Sequence, residues 1–326
     1  MAEEGFPSIG VDIGGTKVLA GAVTADGEIV EVVRLPTPHR STSPRVVEDT
    51  IVAAVSELQR ATSHPARAVG VGAAGFVDVE GSVAFAPHLS WRREPLQSRL
   101  EHRLSVPVRV DNDANTTARA ELRFGAARAY RNVLCLTLGT GIGGALVLDR
   151  HVVRGSHGMA GEFGHMQVVP DGRACQCGNR GCWEQYCSGN ALLLEARERL
   201  AARPAETSRL RKLVDQRAGR LDGPTVTRAA ETGDAASAEM LAEVGTWLGV
   251  GVAGLCAAFD PELVIVGGGL SEAGDLLLEP AREALARRLP GAGFRPVPVL
   301  TRAALGSNAG FVGAADLERD LGNCDN

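Results

Sequence analysis

A chain of 326 residues, 44% hydrophobic and 22% charged, has room for two domains with sizeable cores. No run approaches the ~18 consecutive apolar residues of a membrane span, and the opening MAEEGFPS is acidic and short, unlike a secretory leader. A net charge of −5 leaves no basic footprint for nucleic acid, so the expectation is a cytoplasmic protein with neither a membrane nor a nucleic-acid partner.

The first predicted strand, SIGVDI, runs into Gly14-Gly15; KVLAGAVT is the second, and the Ala25-Asp26-Gly27 turn leads to a third. After Ser43-Pro44 an amphipathic helix sets Val47, Ile51, Val55 and Leu58 on one face. The strands AVGVGAAG and VPVRVDND follow, then an Ala-rich helix over about 114–124. NVLCLTLGTGIGGALVLDRHVVRG repeats the opening plan of strand, glycine loop, strand, turn and strand, which indicates two related α/β halves. Further on, Leu241, Val244, Leu248, Val252 and Leu255 mark one long helix that Asp260-Pro261 ends. The strand LVIVGGG comes next, and a helix begins near Gly274. The polar stretch 203–224 reads as partly loop, and LGSNAGFVGAADLERDL as a surface helix.

Gly70-x-Gly72-x-x-Gly75 and Gly139-x-Gly141-x-x-Gly144 both match the bare dinucleotide fingerprint, but strand-like sequence follows each where that site needs a helix. GGTK lacks the first glycine of a P-loop. Hairpin phosphate loops fit better. Gly14, Gly15, Gly139 and Gly141 let backbone N–H groups converge on an anion without Cβ interference, and Thr16, Lys17 and Thr140 add two hydroxyls and a charge. Asp12, at the mouth of the first loop, either holds a Mg²⁺-bound water beside phosphates or caps the turn. Gly267, Gly268 and Gly269 end a strand, where flat backbone passes under an adenine or ribose, or forms a plain tight turn.

Asn112 and Asp113, in VDNDAN, stand where a strand gives way to a helix. Asp113 is either an N-cap or a carboxylate that the helix dipole keeps ionised, able to accept a hydrogen bond from a substrate hydroxyl.

Of the seven cysteines, Cys135 and Cys256 lie in apolar segments and read as buried thiols, while Cys187 and Cys324 support no reading. His165, Cys175, Cys177 and Cys182 form the pattern H-x9-C-x-C-x4-C, which in a reducing compartment holds metal rather than disulfides. Three thiolates and one imidazole fill a tetrahedral shell, so the expected ion is a structural Zn²⁺; catalytic zinc keeps a position open. Gly178 and Gly181 supply the tight knuckle, and Glu162 and Glu184 bracket it. If one His165 ring nitrogen binds the ion, the other is left with a fixed direction. His157 falls outside this spacing and reads as a loop residue.

The stretches DIGGTK, DNDAN, LGTGIGG, GEFGH, CQCGNRGCWE and VIVGGG resemble, in this order, the motifs of the ROK family of bacterial sugar kinases and related repressors. The resemblance runs from about Ile9 to Asp316 and is strongest to the ATP-dependent glucokinases of actinobacteria. It implies an α/β, actin-like ATPase (ribonuclease H-like) fold, two α/β domains around a cleft with a zinc knuckle. Residues 1–118 would form an N-terminal domain on which a C-terminal helix, 306–322, packs back; residues 119–305 would form the larger domain with the zinc site and nucleotide-binding elements. The implied reaction moves the γ-phosphoryl group of ATP, with Mg²⁺, to the 6-hydroxyl of glucose, and its loose transition state needs only a weak base.

On matching positions, the resemblance makes Asp113 the general base and gives the sugar to Asn112, Asp113, Glu162, His165, Glu184 and the backbone near Gly75. It gives the nucleotide to Asp12, Gly14, Gly15, Thr16, Lys17, Gly139, Thr140, Gly141 and Gly267 to Gly269, and structural zinc to His165, Cys175, Cys177 and Cys182. It also implies a homodimer or homotetramer. Ala74 stands where many members have Pro, which loosens that loop and leaves open fructose, mannose, allose or an N-acetylhexosamine as the acceptor. GGTKVLAG looks more like the loop of ATP users than that of polyphosphate users. Family repressors carry a helix-turn-helix domain before the first glycine loop; only eight residues precede Ile9, so a repressor is not expected.

Overall fold

The computed structural model describes residues 7–202 and 207–318, so Cys324 and the end of the last predicted helix lie outside the described residues. The chain divides into two compact units, one of Met1–Arg131, Ala145–Gly161 and Ala303–Asn326, the other of Asn132–Gly144 and Glu162–Arg302.

In the first unit β1 (Ser8–Ile13), β2 (Lys17–Val23) and β3 (Ile29–Pro36) form an antiparallel meander. The predicted turn closes it: the Thr24 amide donates to the Glu28 carbonyl (2.9 Å), and Gly27 takes φ +86°, a conformation that favours glycine. α1 (Pro44–Thr62) starts at the expected proline and buries Val47, Ile51, Val55 and Leu58. It crosses to β4 (Val69–Ala73), parallel to β1. A small antiparallel sheet of β5 (Phe76–Val77), β6 (Val83–Phe85) and β7 (Arg92–Glu94) follows, then α2 (Leu96–Leu104), β8 (Val108–Asn112) parallel to β4, and α3 (Asp113–Phe124). The main sheet runs β3-β2-β1-β4-β8. Every residue of β4 is buried, as expected for a parallel strand covered on both faces.

The repeat of the opening plan gives β9 (Val133–Leu138), β10 (Ile142–Leu148) and β11 (His151–Val152). After the cysteine segment come α4 (Gly189–Ala202), α5 (Ser208–Gln216), α6 (Gly223–Glu231), α7 (Ala235–Phe259), β12 (Leu263–Gly267), α8 (Asp275–Arg288) and β13 (Val299–Arg302). The second sheet runs β11-β10-β9-β12-β13, with β9, β12 and β13 parallel. Of the stretch 203–224 read as partly loop, 217–222 is non-helical, between α5 and α6. Leu210 is buried and Leu213 and Val214 are half-buried, so a short apolar stripe suffices in an otherwise charged segment. α7 is long and apolar enough to cross a membrane by length and composition alone. Here it packs against α8, α6 and α4, and Gly245 and Gly249 admit the backbone of α8 at Leu277 and Ala281.

α9 (Ala309–Ala315) belongs to the first unit, and all seven of its residues are buried. This corrects the expected surface helix: AGFVGAA carries no charge and can be enclosed all round. α9 lies directly on β1 and β4. A Cβ on Gly10 would collide with the Phe311 carbonyl, and one on Gly70 with that of Ala314. Just beyond α9, Asp316 accepts from Arg119 Nε and Arg123 Nη1 of α3, each at 2.7 Å. Buried Glu121 of α3 completes the attachment by accepting from the amides of Ala126 and Leu305, each at 2.8 Å.

Candidate active site

The strands of the first unit bring two acidic residues to one edge of its sheet. Asp12 is paired with Gly72, and Ala73 with Asn112, so β1, β4 and β8 all present their C-terminal ends there. That edge is where open parallel sheets place ligands. Asn112, not Asp113, is the N-cap of α3. Its Oδ1 accepts from the amides of Ala114 (2.8 Å) and Asn115 (3.3 Å), while its Nδ2 donates to the Gly75 carbonyl (3.0 Å). Asp113 is the first helical residue, and its Oδ1 accepts from the Ala114 amide at 2.9 Å.

Burial pushes the Asp113 carboxyl above the usual carboxylate range, outweighing the backbone donors that pull it down. The helix end, expected to keep this group ionised, is therefore opposed by desolvation, the larger effect on its pKa. Asp12 is pushed up to about 7, first by burial and then by the charge of Asp113, with Lys17 opposing. Gly310, at the start of α9, leaves the space Asp12 occupies; a Cβ there would stand 2.5 Å from the Asp12 carboxyl carbon. Sequence reasoning missed Gly310, whose signal is only its place in the small-residue run of α9.

The first glycine loop is a tight turn. The Gly14 amide donates to the Lys17 carbonyl (3.1 Å), and Thr37 Oγ1 donates to the Gly14 carbonyl (2.8 Å). Gly15 and Thr16 are exposed and Lys17 is half-buried. Gly75 has φ +126°, and a Cβ on it would stand 2.5 Å from the Phe85 carbonyl oxygen, so the backbone beside the Asn112 amide needs glycine.

In the second unit, the Gly139 amide donates to the Gly141 carbonyl (3.0 Å), and the Gly189 amide, opening α4, donates to the Gly139 carbonyl (2.8 Å). Gly139 and Thr140 are exposed. Gly267 pairs with Thr137, and Gly268, at φ +81°, approaches the Leu138 backbone so closely that a Cβ would collide with its carbonyl. The structure thus brings Gly139–Gly141 and Gly267–Gly269 to the same end of adjacent parallel strands, β9 and β12.

The side chains of His165, Cys175, Cys177 and Cys182 converge, with all four ligand atoms within 4.8 Å of one another. Cys177 Sγ and Cys182 Sγ are 3.6 Å apart, as are Cys175 Sγ and His165 Nδ1. A knuckle builds this: the Cys175 amide donates to the Asn179 carbonyl (2.9 Å), and Gly178 takes φ +97°. Burial holds the Cys175 and Cys182 thiols above their ordinary range, so ionising them together calls for a bound cation. The four donors fit one tetrahedral metal ion. Because Nδ1 faces the thiols, Nε2 is the nitrogen turned away from them; it lies 3.9 Å from Glu162. Glu184 turns toward the knuckle, its Oε1 3.1 Å from Cys175 Sγ and 3.7 Å from His165 Nδ1, while its other oxygen lies against Gly141. A Cβ at Gly141 would collide with that oxygen, so the knuckle and the second glycine loop meet at Glu184.

Comparison with known proteins gives a consistent picture. The ROK family model matches residues 8–320. A glucokinase of Streptomyces coelicolor is 45% identical over 314 residues, covering 96% of this chain and 98% of the relative. The crystal structure of a ROK family glucokinase from Streptomyces griseus in complex with glucose and AMPPNP is 44% identical, with a TM-score of 0.89 over 96% of this chain and 99% of the other. A ROK hexokinase from Thermus thermophilus is 32% identical, with a TM-score of 0.76 over 96% of this chain and 99% of that one.

Proposed function

The chain belongs to the ROK family, and from that premise we propose that it is an ATP-dependent glucokinase, which converts glucose and ATP to glucose 6-phosphate and ADP. The observation that carries this reading is the near-full-length likeness, at 44% identity, to a ROK glucokinase crystallised with glucose and AMPPNP.

In this reading Asp113 accepts the proton of the sugar 6-hydroxyl as that oxygen attacks the γ-phosphorus, and the β–γ bridging oxygen departs with ADP. Asp113 orients the hydroxyl more than it pulls the proton, since positioning and charge neutralisation do most of the work in phosphoryl transfer. The cap that Asn112 forms on α3 fixes Asp113, and its amide leaves one N–H for a sugar hydroxyl. We assign further sugar contacts to the Gly75 backbone in the first unit and to Glu162, His165 Nε2 and Glu184 in the second. Backbone N–H groups of Gly14, Gly15, Gly139 and Gly141, with Thr16, Lys17 and Thr140, are assigned to the phosphates, and Gly267–Gly269 to the nucleoside. Mg²⁺ bound with ATP would neutralise phosphate charge, and we assign to Asp12 the role of holding its water. A homodimeric or homotetrameric state is part of the same reading, carried by the family resemblance.

The metal suited to His165, Cys175, Cys177 and Cys182 is Zn²⁺, which would brace the loop bearing Glu162 and the His165 ring. Cys175→Ser is expected to release about one zinc per chain and to raise the glucose KM by about tenfold. Metal analysis by mass spectrometry checks this, and zinc retained at the wild-type level overturns the ligand set. The function itself is tested by a coupled ADP-release assay across glucose, fructose, mannose, allose and N-acetylglucosamine, with ATP or polyphosphate as donor. Glucose with ATP is expected to give the highest kcat/KM; another hexose or polyphosphate above it overturns that assignment.

A further inference from the structure

Away from Asp12 and Asp113, the first unit contains a cavity of about 560 Å³ whose wall includes five arginines, among them Arg119, Arg123, Arg150 and Arg154, but only two aspartates. That is an excess of three positive charges on one cavity in a chain whose net charge is −5. Both aspartates are engaged. Asp316 accepts from Arg119 and Arg123 at 2.7 Å each, and Asp111 lies 3.3 Å from Arg154 Nε.

Arg150 is held differently. Its guanidinium donates to the carbonyls of Arg128 (2.8 Å) and Tyr130 (3.1 Å), contacts that fix its position without neutralising its charge. It sits in the two-residue hairpin turn between β10 and β11, where Asp149 and Arg150 have φ of +48° and +68°, the positive pair that such tight hairpins favour. Like charges gathered in partly buried surroundings repel one another, and a bound anion relieves that repulsion. Guanidinium groups offer paired N–H donors that match phosphate oxygens, and the volume suits a molecule of sugar-phosphate size.

We propose that this cavity is a binding site for a small phosphorylated molecule, its phosphate held by Arg119, Arg123 and Arg150. The site shares α3 with Asp113 but uses the opposite side of that helix. At about 100° per residue, Asn115, Arg119 and Leu122 turn away from Asp113. The inference therefore stands independently of the kinase reading.

Isothermal titration calorimetry on the full chain tests it, with glucose, AMPPNP and Mg²⁺ present at saturation to occupy the proposed catalytic site. Glucose 6-phosphate and inorganic phosphate are the two probes. One site per chain is expected for at least one probe, with affinity falling at least about tenfold in Arg123→Gln and returning in part in Arg123→Lys. Glucose turnover without probe should stay at the wild-type level in both variants. Binding of glucose 6-phosphate alone identifies a sugar phosphate, and equal binding of both probes identifies the phosphate group as the whole determinant. No binding of either probe to the wild type, or equal binding to wild type and Arg123→Gln, overturns the proposal.

Discussion

Asp113→Asn is expected to lower kcat by roughly 10³-fold while leaving the fold, the metal content and the glucose KM close to wild type. The substitution keeps the shape and one oxygen, so the hydrogen bond from the Ala114 amide survives and the Asn112 cap is untouched. What it removes is the negative charge that accepts the hydroxyl proton. The same group predicts the acid side of the pH profile. A base must be ionised to act, and burial raises the Asp113 carboxyl above its ordinary value. The wild-type kcat/KM should therefore fall as pH drops through a value above the ordinary carboxylate pKa of about 4. Steady-state kinetics from pH 5 to 9 check both points; turnover of the variant within tenfold of wild type at pH 8 would remove Asp113 from the role of base.

Much of this arrangement is legible in the residues because the relevant signals are local. A glycine pair after an apolar strand, an Asn-Asp at a strand-to-helix junction and a cysteine knuckle each declare themselves within a few positions. Less legible were features decided by packing. Nothing in VDNDAN says which of two adjacent polar residues caps the helix; Asn112 does so because its amide also reaches the Gly75 carbonyl. LGSNAGFVGAADLERDL as a whole reads as a surface helix, yet its uncharged stretch is what lets α9 rest on Gly10 and Gly70. Glu184 read as one bracket of the metal cluster, and only the fold places its second oxygen against Gly141. The Arg-lined cavity draws on residues 79 to 317, a separation no spacing argument spans.

These misses share a physical origin. Close backbone approach depends on which glycines face each other, and the sequence records glycine without recording its neighbour. The balance between desolvation and a helix end at Asp113 likewise depends on what covers the group. The pattern names Asp113 there without recording what covers it.

That balance also governs Asp12→Asn, which is expected to raise the melting temperature of the ligand-free protein at pH 8 by a few degrees while reducing turnover by about 10²-fold or more. Asp12 carries a pKa near 7 in the folded chain against 3.8 as the ordinary value, the main causes being burial and the neighbouring charge of Asp113. A carboxyl whose folded pKa is raised favours folding fully below about pH 4, and that contribution is lost as pH rises through 7. Above that, ionised Asp12 opposes folding by up to about 4 kcal/mol, the free-energy equivalent of raising its pKa from 3.8 to about 7, less whatever solvent screening returns to this half-buried group. Asparagine never ionises, so the melting temperature of the variant relative to wild type should be near its minimum at pH 5 and increase steadily to pH 8. Adding AMPPNP with Mg²⁺ should stabilise the wild type more than the variant, because a cation bound near Asp12 reverses the sign of its environment. Equal melting temperatures of the two proteins across pH 5 to 8 would show that Asp12 is already neutralised within the free chain, and would remove the strain that makes it ready for a cation.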